Sequence, residues 1–587
     1  GSADRYRWVA LSNTTLGVFL ALVNQSIVII SLPAIFRGIG LNPLTAGNVS
    51  YLLWLLIGSM LVTAVLVVTL GKLGDMYGRV RLYNAGFAVF TAASIMLSID
   101  PLSGGGGALW LIVFRIVQGA GGAMLFANST AIVTDAFPVS RRGFALGINQ
   151  VAALAGSFVG LIAGGLLAQW NWRAVFVVSV PIGIVGTLWS IRSLREVGRR
   201  HLGHIDWLGN VTFALGLTAF LVAITYGIQP YGGHDQGWTN PLVVGGLLGG
   251  AAMLVVFAFI ELHQPHPMFR LDLFRVRAFA AGNVANLLAG TVRGGMQFML
   301  ILWLQGIWLP LHGYDYEKTP LWAGIYLLPL TAGVLVAGPL SGSLSDRHGA
   351  RAFSTSGMVL VAVALLGLLL IPVNFTYWLF AVLIAAIGVG FGLFGAPNTT
   401  AIMNSVPARD RGAAAGMTAT FSSSGGVLSI GVFFSLIIVG LSQQLPSTMN
   451  TALLQQQVPA AAAQHVSSLP PVGSLFSAFL GYNPMAQLLG DRALTSLPPS
   501  NAAVLTGKSF FPGVLSGPFH TGLVLVFGLA IAMSLFAAAV SFSRGSRYVH
   551  VEREHEAELG EAEISLVEAT TAPLIVVPVP SPLRSDE

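Results

Sequence analysis

The sequence predicts an all-α polytopic membrane protein whose fourteen transmembrane helices form two similar halves. Three observations predict it. Of 587 residues, 54% are hydrophobic and only 9% are charged, whereas roughly a quarter of the positions in a soluble domain carry charge. Apolar stretches of about 20 residues, the length that crosses a bilayer, recur along the chain. One glycine-rich loop pattern also appears twice, once in each half. A soluble enzyme, a solenoid or a nucleic-acid binder would need a charged, solvated surface, which 29 Lys+Arg and 23 Asp+Glu cannot cover at this length. With no cysteine, disulfides, thiolate metal sites and cysteine nucleophiles are excluded.

Breaks at Gly, Pro and charged residues place spans 1 to 14 at 8–31, 49–71, 82–99, 108–133, 143–168, 173–191, 205–226, 241–261, 278–308, 320–344, 353–371, 376–403, 413–441 and 518–542. With the N-terminus inside, most basic residues fall on the cytoplasmic side. Only Arg37, Arg173, Lys318, Arg492 and Lys508 fall outside, and Arg115 and Arg293 lie within spans. This bias predicts that both termini are cytoplasmic, and it explains the net charge of +6 without nucleic acid. The opening Gly1-Ser2 without an initiator Met reads as a cloning remnant, so native residues are expected upstream. Segment 442–517 is too polar and proline-broken to span. It is expected to cap the outer face, with contact to a periplasmic partner as the alternative. The tail 543–587, with its glutamates from Glu552 to Glu568 and a Pro-rich end, reads as disordered.

Between spans 2 and 3 stands Gly71-Lys-Leu-Gly-Asp75-Met-Tyr-Gly78-Arg79-Val-Arg81, and between spans 10 and 11 Gly342-Ser-Leu-Ser-Asp346-Arg-His-Gly349-Ala-Arg351. Both copies fall on the same predicted side, which makes the halves parallel repeats, the plan by which transporters rock around a central site. So tight a loop needs glycine. Its Asp can cap a helix or pair with an arginine of a neighbouring helix, forming a latch that is made in one state and broken in another.

Span 4 adds Arg115-Ile-Val-Gln118-Gly119-Ala-Gly121-Gly-Ala123. Span 5 adds Gly156, Gly160, Gly164 and Gly165, and Trp54 stands in span 2. With these motifs nearly the whole chain resembles the major facilitator superfamily, in particular its fourteen-helix drug:proton antiporter branch, the multidrug efflux transporters. The resemblance implies two six-helix bundles, spans 1–6 and 9–14, with spans 7 and 8 as an added pair. The domains expected are 1–200, 201–277, 278–441, 442–517, 518–542 and 543–587. Gly71, Asp75, Gly78, Arg79, Asp346, Gly349 and Arg351 would form the gating motifs.

Departures from that pattern bear on mechanism. Where the branch usually has an acid in span 1, this chain has Asn24, followed by Gln25, and an amide cannot carry a proton. Ser422 and Ser423 replace an Arg-Gln pair in span 13. No acid sits at the centre of a span, so a proton carrier would be an edge carboxylate, Asp75 or Asp135, a histidine, or the cargo. The deep charges are Arg115 and Arg293. An ionisable group inside a membrane is costly and marks a functional hypothesis. In span 9, Asn283, Asn286, Gly290, Arg293 and Gln297 share one helical face. That stripe should face a cavity, against the alternative that Arg293 snorkels or binds backbone carbonyls. The candidate cavity residues are therefore Asn24, Gln25, Arg115, Gln118, Asn286, Arg293 and Gln297. Arg115 is equally readable as structural. Gly156, Gly160 and Gly164 read as a close-packing face.

Two other signals are weak. Gly390-Phe-Gly392-Leu-Phe-Gly395 lacks the strand a nucleotide loop needs, and His263 and His266 lack a third ligand. Neither cofactor nor metal is expected. The expected function is secondary active export of a small amphiphile across the plasma membrane by alternating access, coupled to proton influx as the family implies. The alternative is translocation of a lipid or anionic amphiphile without span 1 coupling. A polytopic lipid-modifying enzyme is the alternative from another class, but no base and nucleophile are paired here. A monomer in the lipid bilayer is the default assembly.

Overall fold

The computed structural model describes residues 2–42, 47–197, 206–264, 267, 269–407, 411–481 and 483–545, and the tail beyond them, His266 among the loop residues, and the side chain of Asp346 lie outside that description. Among the described residues fourteen helices are long and apolar enough to cross a membrane. Spans 1 to 6 run Asp4–Ile39, Asn48–Tyr77, Arg79–Ser98, Gly104–Ala136, Gly147–Trp170 and Ala174–Ser193. Spans 7 and 8 run Trp207–Gly227 and Pro241–His263, and spans 9 to 14 run Arg277–Leu311, Thr319–Ser345, Ala350–Leu370, Tyr377–Asn404, Ala413–Gln455 and Phe510–Ser543.

Every span has the expected place, but several overrun the hydropathy boundaries. Span 1 continues through Pro33 to Ile39. The helix that holds span 13 starts at Arg411 and continues through Pro446 to Gln455, 45 residues in all. At 1.5 Å per residue such a helix is about 67 Å long, roughly twice the thickness of the hydrocarbon core, so it projects well past the bilayer. The polar segment that follows is broken by its prolines into four short helices, Ala460–Ser467, Pro471–Phe479, Met485–Thr495 and Pro499–Thr506.

Both copies of the repeated loop are single-residue corners. Span 2 ends at Tyr77 and span 3 starts at Arg79, with Gly78 at φ 116° between them; the helix of span 10 ends at His348 and span 11 starts at Ala350, with Gly349 at φ 86°. Any residue with a Cβ would be strained in this region of φ, which is why glycine stands in both copies. The added pair begins with conventional caps: Asp206 accepts from the Gly209 amide at 2.8 Å, and Asn240 accepts from the Leu242 amide at 2.9 Å.

Span 1 packs along span 5, span 2 along span 4 and span 10 along span 12. The span 5 glycines make the first of these contacts possible. A Cβ on Gly156 would lie 2.7 Å from the Phe19 carbonyl oxygen, and one on Gly160 would lie 2.5 Å from that of Val23. Backbones this close gain dispersion contact along the whole seam. Gly165 does the same across the halves, since its Cβ would sit 2.5 Å from the Leu321 Cα of span 10. On the opposite side span 2 meets span 13, where Thr420 donates to the Ala64 carbonyl at 3.2 Å.

Span 7 covers that second seam. Asn210 accepts from Thr69 at 2.5 Å, Tyr226 accepts from Trp54 at 3.2 Å, and Gln229, just past the end of span 7, accepts from Ser50 at 3.1 Å, three ties spaced along span 2. Gln236, beyond span 7, donates to the Ser435 carbonyl of span 13 at 2.6 Å. The added pair therefore straddles both halves on one flank.

Candidate functional site

The two arginines inside the spans have opposite surroundings. Arg115 is 2% exposed and lies in the interior of the first bundle. Its guanidinium donates to Asn24 Oδ1 at 2.6 Å, Gln118 Oε1 at 2.9 Å and Ser59 Oγ at 2.9 Å. The network continues outward, with Asn24 Nδ2 donating to Ser179 at 3.1 Å and Gln118 Nε2 donating to Ser94 at 2.8 Å. Spans 1, 2, 3, 4 and 6 are thereby joined through one cation. Among the described residues no carboxylate enters this network. Neutral oxygens carry the charge, and only Nε of Arg115 lacks a partner. Asn24 and Gln118, each 1% exposed, have their polar atoms turned onto the arginine and the serines, so they present almost nothing to a cavity.

Arg293 sits among buried neighbours, Val292 and Met296, yet is itself exposed. It has no hydrogen-bond or ion-pair partner among the described residues. An ionised group left against lipid would be costly, so this exposure is assigned to a cleft within the molecule. Packing turns the rest of its stripe differently. Asn283 is fully buried and accepts from Thr418 at 2.9 Å, Asn286 donates to the Thr418 carbonyl at 3.1 Å, and a Cβ on Gly290 would lie 3.0 Å from the Ser422 carbonyl oxygen. One edge of the stripe thus docks on span 13 and leaves Arg293 at the other edge, with Gln297 half-buried beside it. Gln25 of span 1 is likewise half-buried.

The two loop motifs have diverged. In the first, Arg79 binds Asp75 at 2.7 Å across the corner and both carboxylate oxygens of Asp135, from the end of span 4, at 2.6 and 2.7 Å. Asp75 and Asp135, the candidate proton carriers, are therefore joined by one arginine, and their side chains are 36% and 23% exposed. Glu196, beyond span 6, accepts from the Val80 amide at 3.3 Å and so places a carboxylate on the N-terminus of span 3. Sequence reading did not find Glu196, because nothing in the chain joins a loop residue to a corner more than a hundred positions earlier. In the second motif Arg351 lies over the ring of Phe542 in span 14, 3.8 Å from its centre. Arg544, one residue beyond span 14, is 6% exposed and bonds Asn398 of span 12, which donates in turn to the Gly282 carbonyl at 3.1 Å. That link was also invisible in the sequence, where Arg544 reads as a loop charge.

Comparison with known proteins places this architecture. The chain is 29% identical over 452 residues to the multidrug resistance protein Stp of Mycobacterium tuberculosis, covering 77% of this chain and 79% of that one. It is 27% identical over 542 residues to the tetracenomycin C resistance and export protein of Streptomyces glaucescens, covering 91% of each. It is also 27% identical over 444 residues to the riboflavin transporter RibZ of Clostridioides difficile, covering 75% of this chain and 90% of that one. A crystal structure of a bacterial homolog of the human lysosomal transporter Spinster superposes with a TM-score of 0.54 at 17% identity, over 93% of this chain and 99% of the other, which shows the same fold. The sequence profile of the Major Facilitator Superfamily matches residues 14–430, so with its fourteen spans, its paired loop corners and its transporter relatives the chain belongs to the Major Facilitator Superfamily and is a membrane transporter, not an enzyme.

Proposed function

We propose that the protein is a secondary active exporter of amphiphilic compounds and that its preferred cargo carries an anionic or zwitterionic group. The observation that carries this reading is Arg293, an open, unpartnered cation deep in span 9. A cation inside a membrane span without a partner is expensive unless something pairs with it, and a carboxylate or phosphate on the cargo would do so. Export is supported by the relatives named for drug resistance and antibiotic export, and a broad cargo range by the riboflavin transporter beside them. The halves rock about the seams of spans 5 with 10 and 2 with 13. The basic bias puts both termini in the cytoplasm and segment 456–509 outside.

Span 1 is not the proton site in this reading. Asn24 cannot titrate, and both ends of its amide are engaged. A second reading keeps proton antiport and routes it through Asp135 and Asp75, favoured by the single arginine that bridges both carboxylates at the inner end. Purified protein in liposomes separates the two. Uptake of an anionic amphiphile should exceed that of a lipophilic cation and fall at least about tenfold in Arg293→Ala, the loss of one charge-assisted contact. Cation uptake that follows an imposed pH gradient and ignores Arg293 would overturn the first reading in favour of the second.

A further inference from the structure

We infer that helix Pro471–Phe479 is a plug that closes the outer mouth of the cleft and travels with the second half when that mouth opens. A nine-residue helix in an external loop should have a solvated face, but here Pro471, Val472 and every residue from Ser474 to Phe479 are buried. It is seated in a crevice between elements of both halves. Phe476 stacks on Phe434 of span 13 with ring centres 5.2 Å apart, and Phe479 packs on Phe298 of span 9 at 5.3 Å. A Cβ on Gly306 of span 9 would lie 3.3 Å from the carbonyl carbon of Ala478. Against the first half the helix lies on span 2, and Arg37 at the end of span 1 donates to the Leu480 carbonyl at 3.2 Å.

The π-helical turn Leu304–Trp308 of span 9 forms the floor beneath it. Such turns displace side chains from the regular register. This one carries Gln305, fully buried, whose Nε2 reaches the Ile30 carbonyl of span 1 at 3.4 Å and whose Oε1 has no partner. Under the plug Gln305 thus ties the halves by one long hydrogen bond, which is cheap to break.

The attachments are unequal. To the second half the insertion is held by the aromatic contacts, by Lys508 paired with Asp315 of the loop between spans 9 and 10, and by Tyr316, which donates to the Lys508 carbonyl at 2.8 Å. To the first half it is held by Arg37 and apolar contact with span 2. When the halves separate, the weaker side gives, so the plug leaves spans 1 and 2 and stays on spans 9 and 13. This deepens the alternating-access reading and rests on it for the motion; the sealing itself is testable without any cargo.

The absence of cysteine makes single thiols unambiguous. Ile307→Cys, under the plug, and Asp491→Cys, exposed on helix Met485–Thr495, are compared in vesicles with a membrane-impermeant maleimide on the side that bears the insertion. Ile307→Cys should label at least about tenfold more slowly, and Phe476→Ala with Phe479→Ala should raise its rate about tenfold without changing the Asp491→Cys rate. Unchanged labelling in a monodisperse double variant would overturn the plug. Should that variant aggregate, cross-linking decides. A disulfide between Gly306→Cys and Ala478→Cys should spare transport, while a tether between Arg37→Cys and Leu480→Cys should block it. Arrest by the first disulfide would show that the plug does not travel with the second half. Altered labelling with intact transport, or the reverse, separates failure of the plug from failure of the export reading.

Discussion

Arg115→Met tests the claim that one membrane-embedded arginine is structural and the other is not. Arg115 makes three side-chain hydrogen bonds, at 2.6, 2.9 and 2.9 Å, at 2% exposure. Hydrogen bonds to a charged group contribute about 1.5–3 kcal/mol each. Against their sum stands the burial of a cation with no acid beside it, which costs several kcal/mol and is relieved by the substitution. The remainder is a loss of roughly 2–4 kcal/mol, because Asn24 Oδ1 and Gln118 Oε1 stay buried after their donor has gone. Arg115→Lys should recover only part of it, since an ammonium cannot match the planar fork that serves three acceptors. Arg293→Ala breaks no bond and should change stability by less than about 1 kcal/mol. The 12 tryptophans give an intrinsic fluorescence signal for thermal unfolding in detergent. The reasoning is refuted if Arg115→Met unfolds with the wild-type midpoint, or if Arg293→Ala falls as far as Arg115→Met.

Three further outcomes are expected. Gly160→Ala drives a methyl to 2.5 Å from the Val23 carbonyl oxygen; backbone cannot yield there, so the span 1 to span 5 seam should open at a cost of about 1–3 kcal/mol, and a wild-type melting curve with undiminished transport would contradict the packing. Asp135→Asn leaves Arg79 on Asp75, and since these groups are partly exposed stability should move by less than about 1 kcal/mol; gradient-driven uptake that persists unchanged would remove Asp135 from any proton route. Hydrogen bonding and attraction from Lys508, with Lys318 adding to both, hold the Asp315 carboxyl below the usual carboxylate range. A group depressed in this way stabilises above its free pKa of about 4 and ceases to do so as the pH falls through the lower folded value. The insertion should therefore resist limited proteolysis from neutral to mildly acid pH and loosen only in stronger acid, with Asp315→Asn looser than the wild type from neutral to mildly acid pH and level with it in stronger acid; equal proteolysis rates for the two at neutral pH would rule out this anchor.

Composition and hydropathy were enough for the fourteen spans, because burying unpaired backbone in lipid leaves a helix as the form an apolar stretch of that length can take. The repeated corners were legible too, since Gly78 and Gly349 occupy backbone conformations that any side chain would strain. The span 5 glycines announced close packing for the same local reason. The polar candidates were different. Asn24, Arg115, Gln118 and Arg293 look alike in a one-dimensional string, each a polar residue in an apolar helix. Which of them is saturated depends on spans 2, 3 and 6 delivering Ser59, Ser94 and Ser179 to the same depth. Likewise, whether Arg293 is open depends on the angle at which span 9 docks on span 13. Periodicity places residues on a helix face, and the neighbouring helices decide whether that face is core, seam or cleft. The insertion illustrates the same division. Its polarity and prolines showed that it does not span, while its short helices and the burial of Pro471–Phe479 arise only where two distant halves of the chain form a crevice to receive it.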